Sequence, residues 1–336
     1  MDSLTHLALG ACMGEALTGK KLGKKAMLWG AALQSLPDID FIAALWMDPA
    51  SNLLAHRGFT HSILFCLIIS PFVALLAERL HRPHNISLVK WMLFVATLVL
   101  THILIDAFNA YGVGWFEPFS HQRISFNALY VVDPLFSVWP GLSCLALLLI
   151  KRGKPVRRAW WGLGLGMSLL YLITAVAIKI QTDKKVTNIL HDQHIRYTRY
   201  FTTPAPLQNF LWFVVAGNNE GYYTGYYSIL AKEKKIDFEY FPRNDSLLNP
   251  IRDHMQIQQL MRFSKGFYIM TQTADTLVFN DLRFGQISGW YKPRNDFVFR
   301  YYLTHRSDNR MVLQKGRFAD WNWQSAAELK RKIKGN

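Results

Sequence analysis

Apolar residues in this chain gather into four long runs, at about 62 to 78, 88 to 108, 131 to 150 and 159 to 180. Each approaches the roughly 20 residues with which an α-helix crosses the hydrocarbon core of a bilayer. Two shorter helical patterns come first, at 4 to 18 and 26 to 46. The second contains "SLPDIDF" at 35 to 41, and a proline with two carboxylates argues against counting that pair as firm spans. From 181 onward the pattern changes. Runs such as "YYTGYYSIL", "GFYIMTQTADTLVF", "DFVFRYYL" and "RMVLQKGRF" are rich in β-branched and aromatic residues and are broken by polar turns, which predicts strands. A last helix is predicted over 322 to 334, its terminal cations suited to the helix dipole.

The expected architecture is an α-helical membrane bundle of four to six helices over residues 1–180, followed by a small α+β, mainly antiparallel-sheet extracytoplasmic domain over 181–336. The N-terminus "MDSLTHLALG" lacks the basic leader of a cleaved signal, so the first helix is expected to stay in the mature protein. Cys12, Cys66 and Cys144 lie in apolar segments without CxxC spacing, which supports neither a disulfide framework nor a thiolate zinc site.

The net charge of +15 raises the question of nucleic acid. Residues 1 to 180 hold 15 Lys+Arg against 9 Asp+Glu, and residues 181 to 336 hold 23 against 14, so the excess is spread over both parts. Neither part shows a compact basic helix interleaved with aromatics. Attraction to anionic lipid head groups accounts for the excess, and no nucleic-acid partner is expected.

Cation placement also orients the bundle, because short loops rich in Lys and Arg stay cytoplasmic. Lys20, Lys21, Lys24 and Lys25 occupy one such loop, Arg79, Arg82 and Lys90 the next, and Lys151, Arg152, Lys154, Arg157 and Arg158 the third. The alternate connections, 47 to 61 and 109 to 130, hold only Arg57 and Arg123. The N-terminus, those two connections and everything after 181 are therefore expected on the other side of a bacterial inner membrane.

Seven polar residues that a bundle should not hold without cause converge on that non-cytoplasmic face: His6, Asp38, Asp40, His56, His61, His102 and Asp106. His102 and Asp106 are four apart and share one helix face. Asp38 and Asp40 need a local turn after Pro37 to reach inward together. Singly, each has a plainer reading, as a cap, an interfacial residue or a buried hydrogen-bonded pair. Jointly they point to metal, since carboxylates buried without a cation cost several kcal/mol each. Imidazole and carboxylate without thiolate suit zinc first, with manganese or iron as alternatives, and seven candidates suggest two or three ions. Arg123, in "EPFSHQRIS", is a candidate anion clamp. Asp133 is either an outer acid or a helix cap. His81 and His84 are expected to be solvated, and His191 and His194 to lie on the surface.

With these residues in place the chain resembles a known family, the YdjM-like bacterial membrane-bound metal-dependent hydrolases, described as LexA-regulated inner-membrane hydrolases. The matching stretches are "MDSLTH" at 1 to 6, "LPDID" at 36 to 40, "HRGFTHS" at 56 to 62, "THILIDAFNAYG" at 101 to 112 and "PFS" at 118 to 120. Further matches are "TPAPLQNFLW" at 203 to 212, "GYYTGYYSI" at 221 to 229 and "DLRFG" at 281 to 285. The family is distantly similar to zinc-dependent phospholipase C. That resemblance implies metal ligation by the seven residues named above.

The expected function is hydrolysis of a phosphoester in a lipid or lipid-linked substrate by metal-activated water, with membrane lipids as surroundings. Asp40 is the candidate general base, and Arg57 and Arg123 are the candidates to neutralise developing charge. A second reading, a divalent-cation or proton transporter, requires polar residues to continue across the membrane, and segments such as "LFCLIIS" and "LALLLI" offer few. A third is a scaffold holding a structural metal.

Overall fold

A computed structural model describes residues 1–82, 85–232, 235–249, 251, 254–273, 276–303, 313–314 and 321–335. His84 and most of "RMVLQKGRF" (310–318) lie outside the described residues. The chain forms two compact units, Met1–Ile42 with Ala55–Val176, and Ala43–Leu54 with Ala177–Asn336.

The first unit is helical. Helix α1, Ser3–Leu22, starts at Asp2, whose side chain accepts from the Thr5 amide at 3.0 Å. After a turn at Gly23, with φ of 60°, α2 runs over Lys24–Gln34. The two pack backbone to backbone: a Cβ added at Gly14 would come within 3.1 Å of Gly30 Cα, so only hydrogen fits at this crossing. The expected second helix then tightens after Ser35 into a 3-10 helix, Leu36–Leu45. Short helix α3, Pro49–Ala55, falls almost wholly in the second unit, and the chain resumes the first with a 3-10 turn at Phe59–His61.

Helices α4, Ile63–Leu80, and α5, Leu88–Asp106, are long and apolar enough to span a membrane, as is α7, Val156–Asp192. Helix α6, Pro134–Leu149, is apolar but shorter. Asp133 is the cap of α6, accepting from the Leu135 amide at 3.0 Å and the Tyr171 hydroxyl at 2.8 Å. The buried faces follow helical spacing. Cys66, Ser70, Ala74 and Ala77 of α4 turn inward, as do Trp91, Phe94, Val95, Leu98 and Val99 of α5. His102 and Asp106 continue the same α5 stripe, which is why both end inside the bundle. Leu67, Phe72, Leu76 and Leu93 stay on the outside, as lipid contact requires. His81, expected to be solvated, packs instead between tryptophans, accepting from Trp29 Nε1 at 2.8 Å and stacking on Trp91.

The second unit carries two four-stranded antiparallel sheets rather than one small sheet. The first has the order β1 (Arg199–Pro204), β2 (Leu211–Gly217), β3 (Gly221–Ser228) and β4 (Glu239–Pro242), with Thr202 opposite Val214 and Val215 opposite Thr224. The second joins β5 (Tyr268–Thr273), β6 (Thr276–Gln286), β7 (Phe297–Tyr302) and β8 (Leu313–Gln314). Helix α8, Met255–Phe263, buries Ile257, Leu260 and Phe263. Ala50 of the 43–54 segment joins Leu248, Ile257 and Leu260 in one core, and Gln259 Nε2 donates to Ser51 Oγ at 2.9 Å. Helix α9, Trp323–Lys334, opens with an Asn322–Ser325 capping box and buries Leu329 against Leu211 and Trp290. His191 is largely exposed, as expected.

Candidate metal centre

All the polar candidates of the first unit come from helix ends or the 3-10 segments, where backbone geometry aims each side chain individually. A 3-10 helix turns once every three residues, so Asp38 and Asp40 cannot face the same way. They approach opposite nitrogens of one imidazole: Asp38 Oδ1 is 3.6 Å from His61 Nε2, and Asp40 Oδ2 is 3.3 Å from His61 Nδ1. The turn after Pro37 was expected to let both aspartates reach inward, and both reach His61, on its two sides.

Four side chains form the centre. Donor atoms of Asp38, His61, His102 and Asp106 all lie within 4.8 Å of one another. His102 Nε2 is 3.1 Å from His61 Nε2, 3.5 Å from Asp38 Oδ1 and 3.7 Å from Asp106 Oδ2, and His61 Nε2 is 3.5 Å from Asp106 Oδ2. His61, His102 and Asp106 are buried, while Asp38 is partly exposed and forms the opening.

The partners of the outer ring nitrogens fix what these atoms are. His102 Nδ1 donates to the Gln34 carbonyl, and His61 Nδ1 faces Asp40 and Thr60 Oγ1. In the tautomers with Nδ1 protonated, both Nε2 atoms present lone pairs directed at each other and at two carboxylate oxygens. Such crowding is repulsive unless a cation sits between. Zinc–nitrogen bonds of about 2.05 Å make a tetrahedron with edges of about 3.3 Å, close to the separations here. Asp106 Oδ2 is buried and accepts no hydrogen bond, although Arg57 Nε lies off-line at 3.1 Å. The donor set therefore fits a divalent ion.

The other candidates surround this core without joining it. His6 stacks on His102 with ring centroids 3.9 Å apart, and its Nε2 is 3.1 Å from Asp106 Oδ1, which also pairs with the Met1 amine. Asp40 has both oxygens engaged: Oδ1 with His56 Nδ1 at 3.0 Å, and Oδ2 as acceptor from the Arg57 amide at 2.7 Å and Thr60 Oγ1 at 3.1 Å. Asp40, expected as a ligand and general base, thus stands behind His61 and His56, beside the four-residue cluster. His56 is over a third exposed and stands at the mouth, its ring centroid 6.4 Å from that of His61.

The two arginines are turned inward. Arg57 has φ of 59°, a left-handed conformation that costs a non-glycine residue about 1 kcal/mol, and it is almost fully buried. That backbone turn lets one residue bind twice: its amide holds Asp40, while its guanidinium faces Asp106, donates to Asn109 Oδ1 at 2.9 Å and to the Met1 carbonyl at 3.2 Å. Arg123 is also buried, and its Nη2 donates to the carbonyls of His56 at 2.8 Å and Gly112 at 3.1 Å. Both guanidiniums hold protein groups, Arg123 in the place where an anion clamp was expected. Asn109 and Thr60 were missed, although both stand inside the quoted motifs. Their polarity alone did not distinguish them from ordinary turn residues.

Burial lifts the carboxyls of Asp38 and Asp40, but hydrogen bonds from the histidines outweigh it and hold both well below the usual range. For His61 burial acts downward, and its three carboxylate neighbours, Asp106, Asp38 and Asp40, outweigh it and raise the imidazole to about 9.

A bundle of apolar spans enclosing a buried His/Asp cluster defines a membrane protein with a candidate metal centre. The family model of the YdjM inner membrane protein matches residues 1–181, and the chain belongs to that family. It is 31% identical over 171 residues to the inner membrane protein YbcI of Escherichia coli (strain K12), covering 44% of this chain and 97% of that relative. It is 26% identical over 216 residues to the uncharacterized protein YfhP of Bacillus subtilis (strain 168), covering 57% of this chain and 59% of YfhP. No solved structure matches the chain.

Proposed function

We propose that the chain is a membrane-bound, metal-dependent hydrolase of a phosphoester in a lipid or lipid-linked substrate, working at the non-cytoplasmic face of the inner membrane. One observation carries this reading: two imidazole lone pairs and two carboxylate oxygens crowd together at nearly tetrahedral separations. A divalent ion, zinc first and manganese or iron next, supplies Lewis-acid polarisation and brings the pKa of a water to about 7. Asp38, His61, His102 and Asp106 make one set of four donors, so a single ion suffices, with the water as its fifth ligand at the opening beside Asp38.

The remaining residues position and balance that set. Asp40 fixes the tautomer and angle of His61, and Arg57 offsets the charge of Asp106. His56 takes the proton-transfer role first assigned to Asp40, because Asp40 holds His56 Nδ1 and leaves Nε2 to exchange a proton at the mouth. The scarcity of Lys and Arg in the 47–61 and 109–130 connections supports the non-cytoplasmic side. A lipid substrate follows from depth, since a head group lies where these helix ends lie. Beneath the centre Trp91, Phe94, Val95, Leu98 and Val99 fill the interior, which favours chemistry at one face over a transport path.

The test is turnover of defined phospholipids by the purified protein, with and without a chelator. Turnover that the chelator abolishes and added metal restores is the expected result. Chelator-insensitive turnover, or none over a broad panel with the metal bound, contradicts the proposal.

A further inference from the structure

The opposite end of the helical unit holds a second built feature, independent of the hydrolase reading. A groove of about 1080 Å³ opens between the end of α1, the start of α5 and the start of α7. Lys90 in this groove and Asp106 in the metal centre are sixteen positions apart on α5, or about 24 Å at 1.5 Å per residue. The groove is therefore a separate site.

Its walls divide by chemistry. Lys20, Lys90, Lys154 and Arg158 line it and are exposed, and their side chains pair with no acid among the described residues. Leu17 and Leu93, both exposed and apolar, continue the wall toward the lipid side, with Trp161 beside them. At the floor a buried ion pair gives rigidity: Arg157 Nε donates to Glu15 Oε1 at 2.7 Å, and Arg157 Nη1 donates to the Leu147 and Ile150 carbonyls at 2.6 Å each. Glu15 is more than nine-tenths buried, and its second oxygen, Oε2, accepts no hydrogen bond. A buried acceptor without a donor, in a groove lined with cations, asks for a ligand that brings both an anion and a hydrogen-bond donor.

We infer that this groove binds an anionic phospholipid with a hydroxylated head group, of the phosphatidylglycerol class. The phosphodiester meets the cations, a head-group hydroxyl donates to Glu15 Oε2, and an acyl chain lies along Leu17 and Leu93. Cations at helix ends place the phosphate at the membrane interface, where basic pockets between spans recognise lipid head groups. A soluble anion would leave the apolar wall unused, which decides for a lipid.

The experiment is native mass spectrometry of the full chain titrated with phosphatidylglycerol, phosphatidic acid and phosphatidylcholine. It compares the wild type, the groove variant Lys90→Gln/Lys154→Gln/Arg158→Gln, and a charge-matched control, Lys184→Gln/Lys185→Gln/Lys330→Gln. Both variants change only exposed side chains. Phosphatidylglycerol binding is expected to weaken about fivefold per cation removed, hence about a hundredfold in the groove variant, and to hold in the control. Equal loss in both variants, equal binding of phosphatidylcholine, or displacement of the lipid by inorganic phosphate would overturn the site. Phosphatidic acid binding as tightly as phosphatidylglycerol would overturn the role of Glu15 as head-group acceptor.

Discussion

Asp40→Asn separates an orienting acid from a ligand. In the structure Asp40 touches the centre only through His61, at 3.3 Å from Nδ1, while it receives the Arg57 amide and Thr60 hydroxyl and holds His56. Asparagine keeps the shape but loses the charge, and its amide nitrogen meets donors where an oxygen stood. Hydrogen bonds to charged groups contribute about 1.5–3 kcal/mol, so weakening the Arg57 amide bond alone costs about 2 kcal/mol of stability. Loss of an outer-shell carboxylate behind a metal-bound histidine lowers metal affinity about 10- to 100-fold, without abolishing binding. Asp38→Asn behaves oppositely: partly exposed and within the donor set, it loses the ion while the fold keeps its stability. The assay is competition for zinc against a chromophoric chelator, paired with thermal melting of the metal-free proteins. The reasoning fails if Asp40→Asn loses the ion as completely as Asp38→Asn does, or if neither its affinity nor its melting temperature moves.

Three further outcomes are expected, two from the candidate centre and one from the second unit. Arg57→Met leaves Asp106 buried with its main counter-charge gone and should destabilise the protein by about 3–5 kcal/mol, read as a fall in melting temperature; an unchanged melt contradicts the clamp. In metal-stripped protein His61 titrates near 9, above its ordinary 6.5, so its stabilisation is complete below pH 6.5 and is lost as pH rises through 9. Melting temperature of the stripped protein should therefore fall across that window and that of the loaded protein should not; a rise in the stripped protein would refute the assignment. In the second unit, Arg283 is fully buried, donates to Asp281 Oδ2 at 2.6 Å and lies 4.8 Å over the Phe263 ring. Arg283→Leu strands Asp281 and should cost about 3–5 kcal/mol by the same measurement, while a cost under 1 kcal/mol would show that the pair is not needed.

The helical spans and the gathering of His and Asp at one end of the bundle were legible because each rests on a period. Trp91, Phe94, Leu98, His102 and Asp106 lie on one stripe of a 3.6-residue helix, whatever surrounds it. The division between ligands and their supports was not legible. Asp38 and Asp40 look equivalent in "LPDID", and only the three-residue turn of the 3-10 helix sends one to Nε2 and the other to Nδ1 of His61. Arg57 read as a group that neutralises developing charge, because a guanidinium suits phosphate. Its left-handed backbone, set by tertiary contacts, turns it inward instead. In the second unit the strand runs predicted sheet but not the number of sheets, since pairing between distant strands is not a local property.

Elemental analysis of the purified protein, beside His102→Ala, tests the central claim most directly. The account predicts about one divalent ion per chain in the wild type, removed by a strong chelator, and close to none in His102→Ala, which deletes one of four donors. A metal-free wild type that regains no ion when supplied with zinc, manganese or iron, or a His102→Ala protein that keeps a full equivalent, would contradict it.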